Sequence, residues 1–190
     1  MKHNFAWLED APDKVAQRLL GCILERTLDG QRLRLKIVET EAYHQTDAAS
    51  HSYKGETPRT EIMFGEAGQL YVYFTYGMHY CINVVTGPKG EGSAVLIRAV
   101  EPLEGWEMLR KNRPGLPDEQ LTNGPAKLAK ALALDLSMNG HDLAQEPLKL
   151  VVRPAVNADD IVQATRIGIS QAKEVPWRFY LRDNPFVSKR

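Results

Sequence analysis

The chain reads as an α+β protein: a largely antiparallel, curved β-sheet with inserted and flanking helices. Three observations lead there. Runs rich in β-branched and aromatic residues, the composition of strands, recur from Cys22 to Arg182. Two pairs of these runs are joined by short turn signals, which implies antiparallel hairpins. Helical patterns fall between the runs in no regular β-α alternation. The 190 residues, 43% of them hydrophobic, contain no Pro/Gly/Ser-rich linker and are read as one domain spanning 1–190.

The elements follow in order. Asp10-Ala-Pro-Asp starts a helix, with Asp10 as its cap; Val15, Leu19 and Leu20 would face the core, and Gly21 ends it. Cys22–Thr27 and Arg32–Tyr43 read as strands joined around Asp29-Gly30. In the second strand Leu33, Leu35 and Ile37 share a face, and the same alternation continues through Glu39, Glu41 and Tyr43. An apolar face that turns into carboxylates passes from the core into a polar cavity or out to solvent. A bulge near Thr40 would change which glutamate points inward.

Residues 44–70 are loop-rich, with Thr57-Pro-Arg-Thr60 as a short helix start and Gly65 and Gly68 bracketing a turn. Leu70–Val85 is the next hairpin. Tyr71, Tyr73 and Thr75 share one face, and Val72, Phe74 and Tyr76 the other. Gly77 supplies the positive φ of a tight reversal, which puts Tyr76 beside the tip. Core tyrosines would give the same pattern. The functional reading makes Tyr73 a pocket wall and Tyr76 an aromatic wedge. Gly87–Gly92 lacks the Lys-Ser/Thr of a phosphate loop.

Ser93–Val100 reads as a strand, with Arg98 on the face of Ala94, Leu96 and Val100. A guanidinium there needs a carboxylate or a phosphate. Glu101-Pro102 opens a helix carrying Leu103, Trp106 and Leu109. Asn123-Gly-Pro leads into a second, Ala/Leu-rich helix over 126–134. It reads either as an Asn-capped core helix or as a phosphate acceptor with Lys127 nearby. Leu148–Val152, Ile161–Thr165 and Trp177–Arg182 complete a strand-rich C-terminal part.

Twenty-four basic residues balance twenty-four acidic ones, which argues against a sequence-blind polyanion binder but not against a local basic patch. Cys22 and Cys81 form no paired motif and read as reduced thiols of a cytosolic protein. No apolar run is long enough to cross a membrane, and the Met-Lys-His-Asn start lacks a signal peptide's apolar segment. His-Glu-x-x-His, Cys-x-x-Cys and Gly-x-Ser-x-Gly are all absent, so neither a metal nor a serine nucleophile is expected. What remains is a set of carboxylates at a strand end, an arginine, tyrosines and histidines. That set suits hydrolysis through a cationic transition state.

These residues also carry a resemblance. Val38-Glu-Thr-Glu-Ala-Tyr43, Ala48-Ala-Ser-His-Ser52, Thr57-Pro-Arg59, Met63-Phe64, Leu70-Tyr-Val-Tyr73, Tyr76-Gly-Met78, Asn83 and Leu96-Ile-Arg-Ala-Val-Glu-Pro102 occur in this order. Asn123-Gly-Pro-Ala-Lys-Leu128, Asp142-Leu143, Arg166-Ile-Gly168 and Arg178-Phe-Tyr180 follow. Together they resemble the alkyladenine (3-methyladenine) DNA glycosylase family. The resemblance implies a monomeric base-excision enzyme without cofactor, metal or membrane. Its partner would be double-stranded DNA containing damaged purines, on a bacterium-like chromosome or in a nucleus. It would flip the purine out and hydrolyse its N-glycosidic bond.

Carried over, Glu41 matches the general base, with Glu39 a non-catalytic partner. Arg98 matches the arginine that helps hold the catalytic water. Tyr43 and Tyr73 match the rings around the flipped base, His51 a further pocket residue, and Asn83 the residue that crowds guanine's exocyclic amine. Tyr76 matches the side chain inserted into the stack. Met78 and Lys127 are candidates for contact with the DNA backbone. Physics agrees: a base inside a duplex must be extruded, a wedge fills the gap, and aromatic walls favour electron-poor bases. No lysine in the Glu41 motif offers a Schiff-base nucleophile, so hydrolysis without lyase chemistry is expected. The short His44–Asp47 loop departs from longer, more acidic relatives and bears on substrate range. The alternatives are a non-catalytic binder of damaged bases and a glycosidase of free nucleosides.

Overall fold

Strand β2, Gln31–His44, is the spine of the protein, and the rest of the sheet is laid against its two edges. A computed structural model describes residues 5–75 and 77–188. Among these, β1 (Ile23–Leu28) pairs with the first half of β2 through a turn in which Asp29 (φ 49°) and Gly30 (φ 75°) both take the left-handed conformation. That is the two-residue hairpin the Asp-Gly signal calls for. Strands β3 (Leu70–Thr75), β4 (His79–Val85) and β5 (Ser93–Glu104) lie beyond the other edge. With β6 (Leu148–Val151) they give the order β3-β4-β5-β2-β1-β6. Strand β8 (Arg178–Leu181) pairs with Glu39–Glu41 of β2 and with β7 (Ile161–Ala164), so the first edge is shared between β1 and β8. Every pairing among the described residues is antiparallel.

The main core lies on one face of the sheet. Helix α1 (Pro12–Leu19) lays Val15, Ala16 and Leu19 on it, all fully buried. Val15 and Leu19 each contribute about 1.5–3 kcal/mol by leaving water, and the Ala16 methyl less than about 1 kcal/mol. Helices α2 (Trp106–Asn112) and α3 (Pro125–Ala131) close the same core with Met108, Leu109 and Leu128. Asp10 does not cap α1. Proline at the first helical position puts Ala11 at the cap, and Asp10 instead reaches Arg18 at 3.7 Å.

Two departures from strict alternation shape the rest. Ile37 pairs with Val100, Glu39 with Ala99 and Thr40 with Ile97. Val38 is therefore extra on β2, and Arg98 is extra on β5 one step later. The two bulges cancel in register, but they reverse which side chains face the core. Before them Leu33, Leu35 and Ile37 are core; after them Ala42 is core and the Thr40 hydroxyl donates to Ala16 O at 2.9 Å. Glu39, Glu41 and Tyr43 are thereby turned to the opposite face. Arg98 likewise shares a face with Leu96 but not with Val100, which is in the core.

The helix expected at Glu101-Pro102 is strand. Pro102 pairs with Leu35, and Glu104 joins Arg34 at 2.9 Å. Chain reversal waits for Gly105 (φ 89°), where a Cβ would lie 2.7 Å from Leu33 Cγ. Leu103 is consequently exposed. The second helix ends earlier than expected, at Ala131, and its cap position is Gly124. Asn123 does not cap it: its side-chain Oδ1 accepts from Lys127 Nζ at 2.7 Å.

Candidate active site

The face left by the bulges forms the floor of a cavity of about 420 Å³. Its walls come from several elements. Strand β2 supplies Tyr43, the following loop His51, β3 Tyr71 and Tyr73, and β4 Cys81 and Asn83. The segment 167–170 closes the side. Arg98 and Leu96 reach in from β5, and Pro125 stands at the start of α3.

Below the cavity the two glutamates are both fully buried and differently bound. Glu39 accepts from Arg98 Nε at 3.3 Å, Arg178 Nε at 2.7 Å and Ser188 N at 2.7 Å. Its two oxygens are thus occupied by two cations and an amide, and of these three groups Arg98 is the one shared with the cavity wall. Glu41 accepts from the Tyr43 hydroxyl at 2.8 Å and Ile167 N at 2.7 Å, and pairs with Arg98 Nη1 at 3.3 Å. Tyr43, Ile167 and Arg98 all line the cavity, so Glu41 is bound by the cavity's own wall. Arg98 bridges the two carboxylates. Burial opposes its charge, but Glu41 and Glu39 more than offset this and hold its pKa above the ordinary arginine value. Burial, then the neighbouring Glu41 charge, pushes the Tyr43 hydroxyl well up, so it stays protonated and donates to Glu41.

The aromatic wall is built around Tyr73. His51 packs edge-on against it with centroids 4.6 Å apart, and His51 Nδ1 lies 3.1 Å from the Tyr71 hydroxyl. Desolvation of the imidazole, then the charge of Arg59, lowers its pKa from the ordinary value and keeps the ring neutral at pH 7. His51 is an exposed residue at the mouth, so solvent moderates this effect. Burial, then the Cys81 thiol, likewise raises the Tyr73 hydroxyl. Asn83 donates from Nδ2 to Tyr71 O at 3.1 Å, which fixes its amide in the floor. It lies opposite Tyr71 rather than Tyr73; Cys81 is opposite Tyr73.

The structure therefore brings Tyr43, His51, Tyr73, Asn83 and Arg98 to one cavity, with Glu41 directly beneath. Met78, 69% exposed, stands apart beside the hairpin tip. Lys127 lies near the cavity's Pro125 but is tied to Asn123. Tyr76 lies outside the described residues. No group of three metal-binding side chains occurs among the described residues, and no described helix is long and apolar enough to cross a membrane.

Sequence reasoning missed Asp47 and the segment 166–170. Arg166 forms a buried ion pair with Asp47 through both Nη atoms and donates to Ala42 O at 3.0 Å. That clamp delivers Ile167 to Glu41. Arg166-Ile-Gly was visible as a motif, but neither residue has a periodic neighbour that would mark it as cavity lining.

Comparison with known proteins adds the family. The family model described as methylpurine-DNA glycosylase matches residues 6–185. A protein of Carboxydothermus hydrogenoformans named "Putative 3-methyladenine DNA glycosylase" is 52% identical over 177 residues, 93% of each chain. Proteins of the same name from Francisella tularensis and Methanoculleus marisnigri are 49% and 44% identical, over 92% and 93% of each chain. A match over nearly the whole chain, at these identities, means that the chain belongs to the methylpurine-DNA glycosylase family.

Proposed function

We propose that this protein is a monofunctional DNA glycosylase that begins base excision repair. It takes a damaged purine from duplex DNA into the 420 Å³ cavity and hydrolyses its N-glycosidic bond. One observation carries the reading: Glu41 is sealed from bulk solvent yet held by three groups that line the cavity, Tyr43, Ile167 and Arg98. A carboxylate so placed can accept a proton from one water at the cavity floor, and its charge stabilises the oxocarbenium ion that develops at the sugar. Water oxygen forms the bond to C1′, its proton goes to Glu41, and the base departs with the electrons of the broken C–N bond. Arg98 restrains Glu41 and offers a second group to that water.

Tyr43 and Tyr73 are read as the rings that receive the base, His51 as a neutral hydrogen-bonding partner, and Asn83 as a steric check on guanine. Tyr76 is the proposed wedge, and Met78 and Lys127 the proposed backbone contacts. No lysine lines the cavity among the described residues, which favours water over an amine as nucleophile. The protein would act as a single-domain monomer on double-stranded DNA. Incubation with a duplex carrying one alkylated purine, followed by alkaline cleavage, tests the reading: strand scission at the lesion is expected. Uncleaved DNA with retained lesion binding would make this a non-catalytic binder.

A further inference from the structure

Each tyrosine proposed to receive the base has a guanidinium against its ring. Arg166 Cζ lies 4.8 Å from the Tyr43 centroid. Arg166 contributes no surface to the cavity, so it meets the ring from the protein side. It is fixed there: its side chain is fully buried, Asp47 holds both Nη atoms, and Trp177 lies 5.6 Å from Cζ. Its Nε has no hydrogen-bond partner among the described residues. Arg59 Cζ lies 5.8 Å from the Tyr73 centroid and lines a separate groove with Pro58 and Phe74.

An aromatic face attracts a cation through the negative charge of its π cloud. A cation already held on one face draws that density toward itself and repels a second cation on the other. Bare tyrosine walls would therefore favour a cationic, alkylated purine over a neutral damaged one, whereas walls backed by guanidinium favour it less. Asp47 compensates the Arg166 charge at a distance, so the effect is the short-range one through the Tyr43 ring. Because the pair is desolvated, salt screens it weakly.

We propose that Arg166, seconded by Arg59, is a specificity-determining residue that lowers the cavity's preference for cationic over neutral damaged purines. This rests on the reading of the cavity as the base pocket. A cationic purine already leaves readily, so the site does not need to reward its charge. A neutral lesion depends on stacking and orientation, which backed walls still provide.

The test compares single-turnover excision of N7-methylguanine, which is cationic, and hypoxanthine, which is neutral, each in the same duplex. Arg166→Gln combined with Asp47→Asn removes both buried charges together. The cationic-to-neutral rate ratio should rise roughly two- to tenfold over the unaltered protein, the lower part of the range of one cation–π contact because the effect passes through the ring. Arg59→Gln, at an exposed position, should move the ratio in the same direction by less, and it decides the matter if the double variant does not fold. Equal losses on both lesions, or a ratio that stays put or falls, would make the arginines merely structural and overturn the proposal. Failure of the unaltered protein to excise either lesion would instead overturn the proposed function.

Discussion

Replacing Glu39 by glutamine should separate two roles that sit two residues apart. Glu39 is fully buried and receives two guanidiniums, Arg98 at 3.3 Å and Arg178 at 2.7 Å, whose own side chains are 9% and 7% exposed. Glutamine keeps the shape and one acceptor oxygen but removes the counter-charge. Removing one partner of a buried ion pair costs roughly 3–5 kcal/mol, and the retained acceptor places Glu39→Gln near the lower end, about 3 kcal/mol. For a chain of this size each kcal/mol moves Tm by roughly 2–4 °C, so Tm should fall by roughly 6–12 °C. A domain with a stability of about 5–15 kcal/mol remains folded at 25 °C. Arg98 keeps its contact with Glu41, so single-turnover excision measured there should fall only about tenfold. Calorimetric melting and single-turnover excision on one lesion duplex read the two effects. A variant that melts with the unaltered protein and has no activity would invert the roles and make Glu39 the general base.

Glu41→Gln should show the complementary pattern: lesion binding retained, a smaller drop in Tm, and excision reduced by roughly two or more orders of magnitude. Asn83→Ser, which removes the amide held by Tyr71 O, should raise excision of guanine-derived relative to adenine-derived bases; an unchanged ratio removes Asn83 from the selectivity argument. Tyr76→Ser should slow excision more for a well-paired lesion than for the same lesion in a mismatch, with Tm nearly unchanged, and equal losses would speak against a wedge. The lowered His51 pKa makes the folded protein resist a proton that the unfolded chain takes up near pH 6.5, so the associated stability is present above that pH and fades as pH falls toward 4. His51→Asn should flatten Tm against pH in this window, and an unchanged slope would assign the acid sensitivity elsewhere.

The hairpins and most strands were legible because local chemistry specifies them. Asp29-Gly30 demands its turn, and alternating Tyr71, Val72 and Tyr73 settle on opposite faces whatever surrounds them. A bulge near Thr40 was open from the sequence, but the reversal of faces that the paired bulges at Val38 and Arg98 produce was not legible. Leu33 through Tyr43 alternate without interruption, and the bulges exist only because two strands meet. The spacing of Leu103, Trp106 and Leu109 matched a helix, but cross-strand bonding to Leu35 and Arg34 outweighs that local pattern as far as Glu104. Glu41 as the base came from resemblance; alternation alone left it level with Glu39. Their difference lies in partners far along the chain: Arg178 and Ser188 for one, Ile167 for the other. Asp47 looked like an ordinary loop acid, because nothing near it reveals that Arg166 will bury it.

The sharing of one edge of β2 between β1 and β8 bears on the order of assembly. The β1–β2 hairpin closes a short loop and can form early. The edge at Glu39–Glu41 stays open until a strand some 139 residues further on arrives. During synthesis the two carboxylates would stand beside a growing hydrophobic layer without Arg178 or the 167 amide, which opposes early burial of that end. Docking of β8 brings Arg178 to Glu39, and the segment that precedes it brings the Ile167 amide to Glu41 and the 167–170 side wall to the cavity. A ribosome-bound chain lacking β8 would therefore hold a formed β1–β2 hairpin beside an open edge at Glu39–Glu41, and the cavity floor would be completed only when β8 docks.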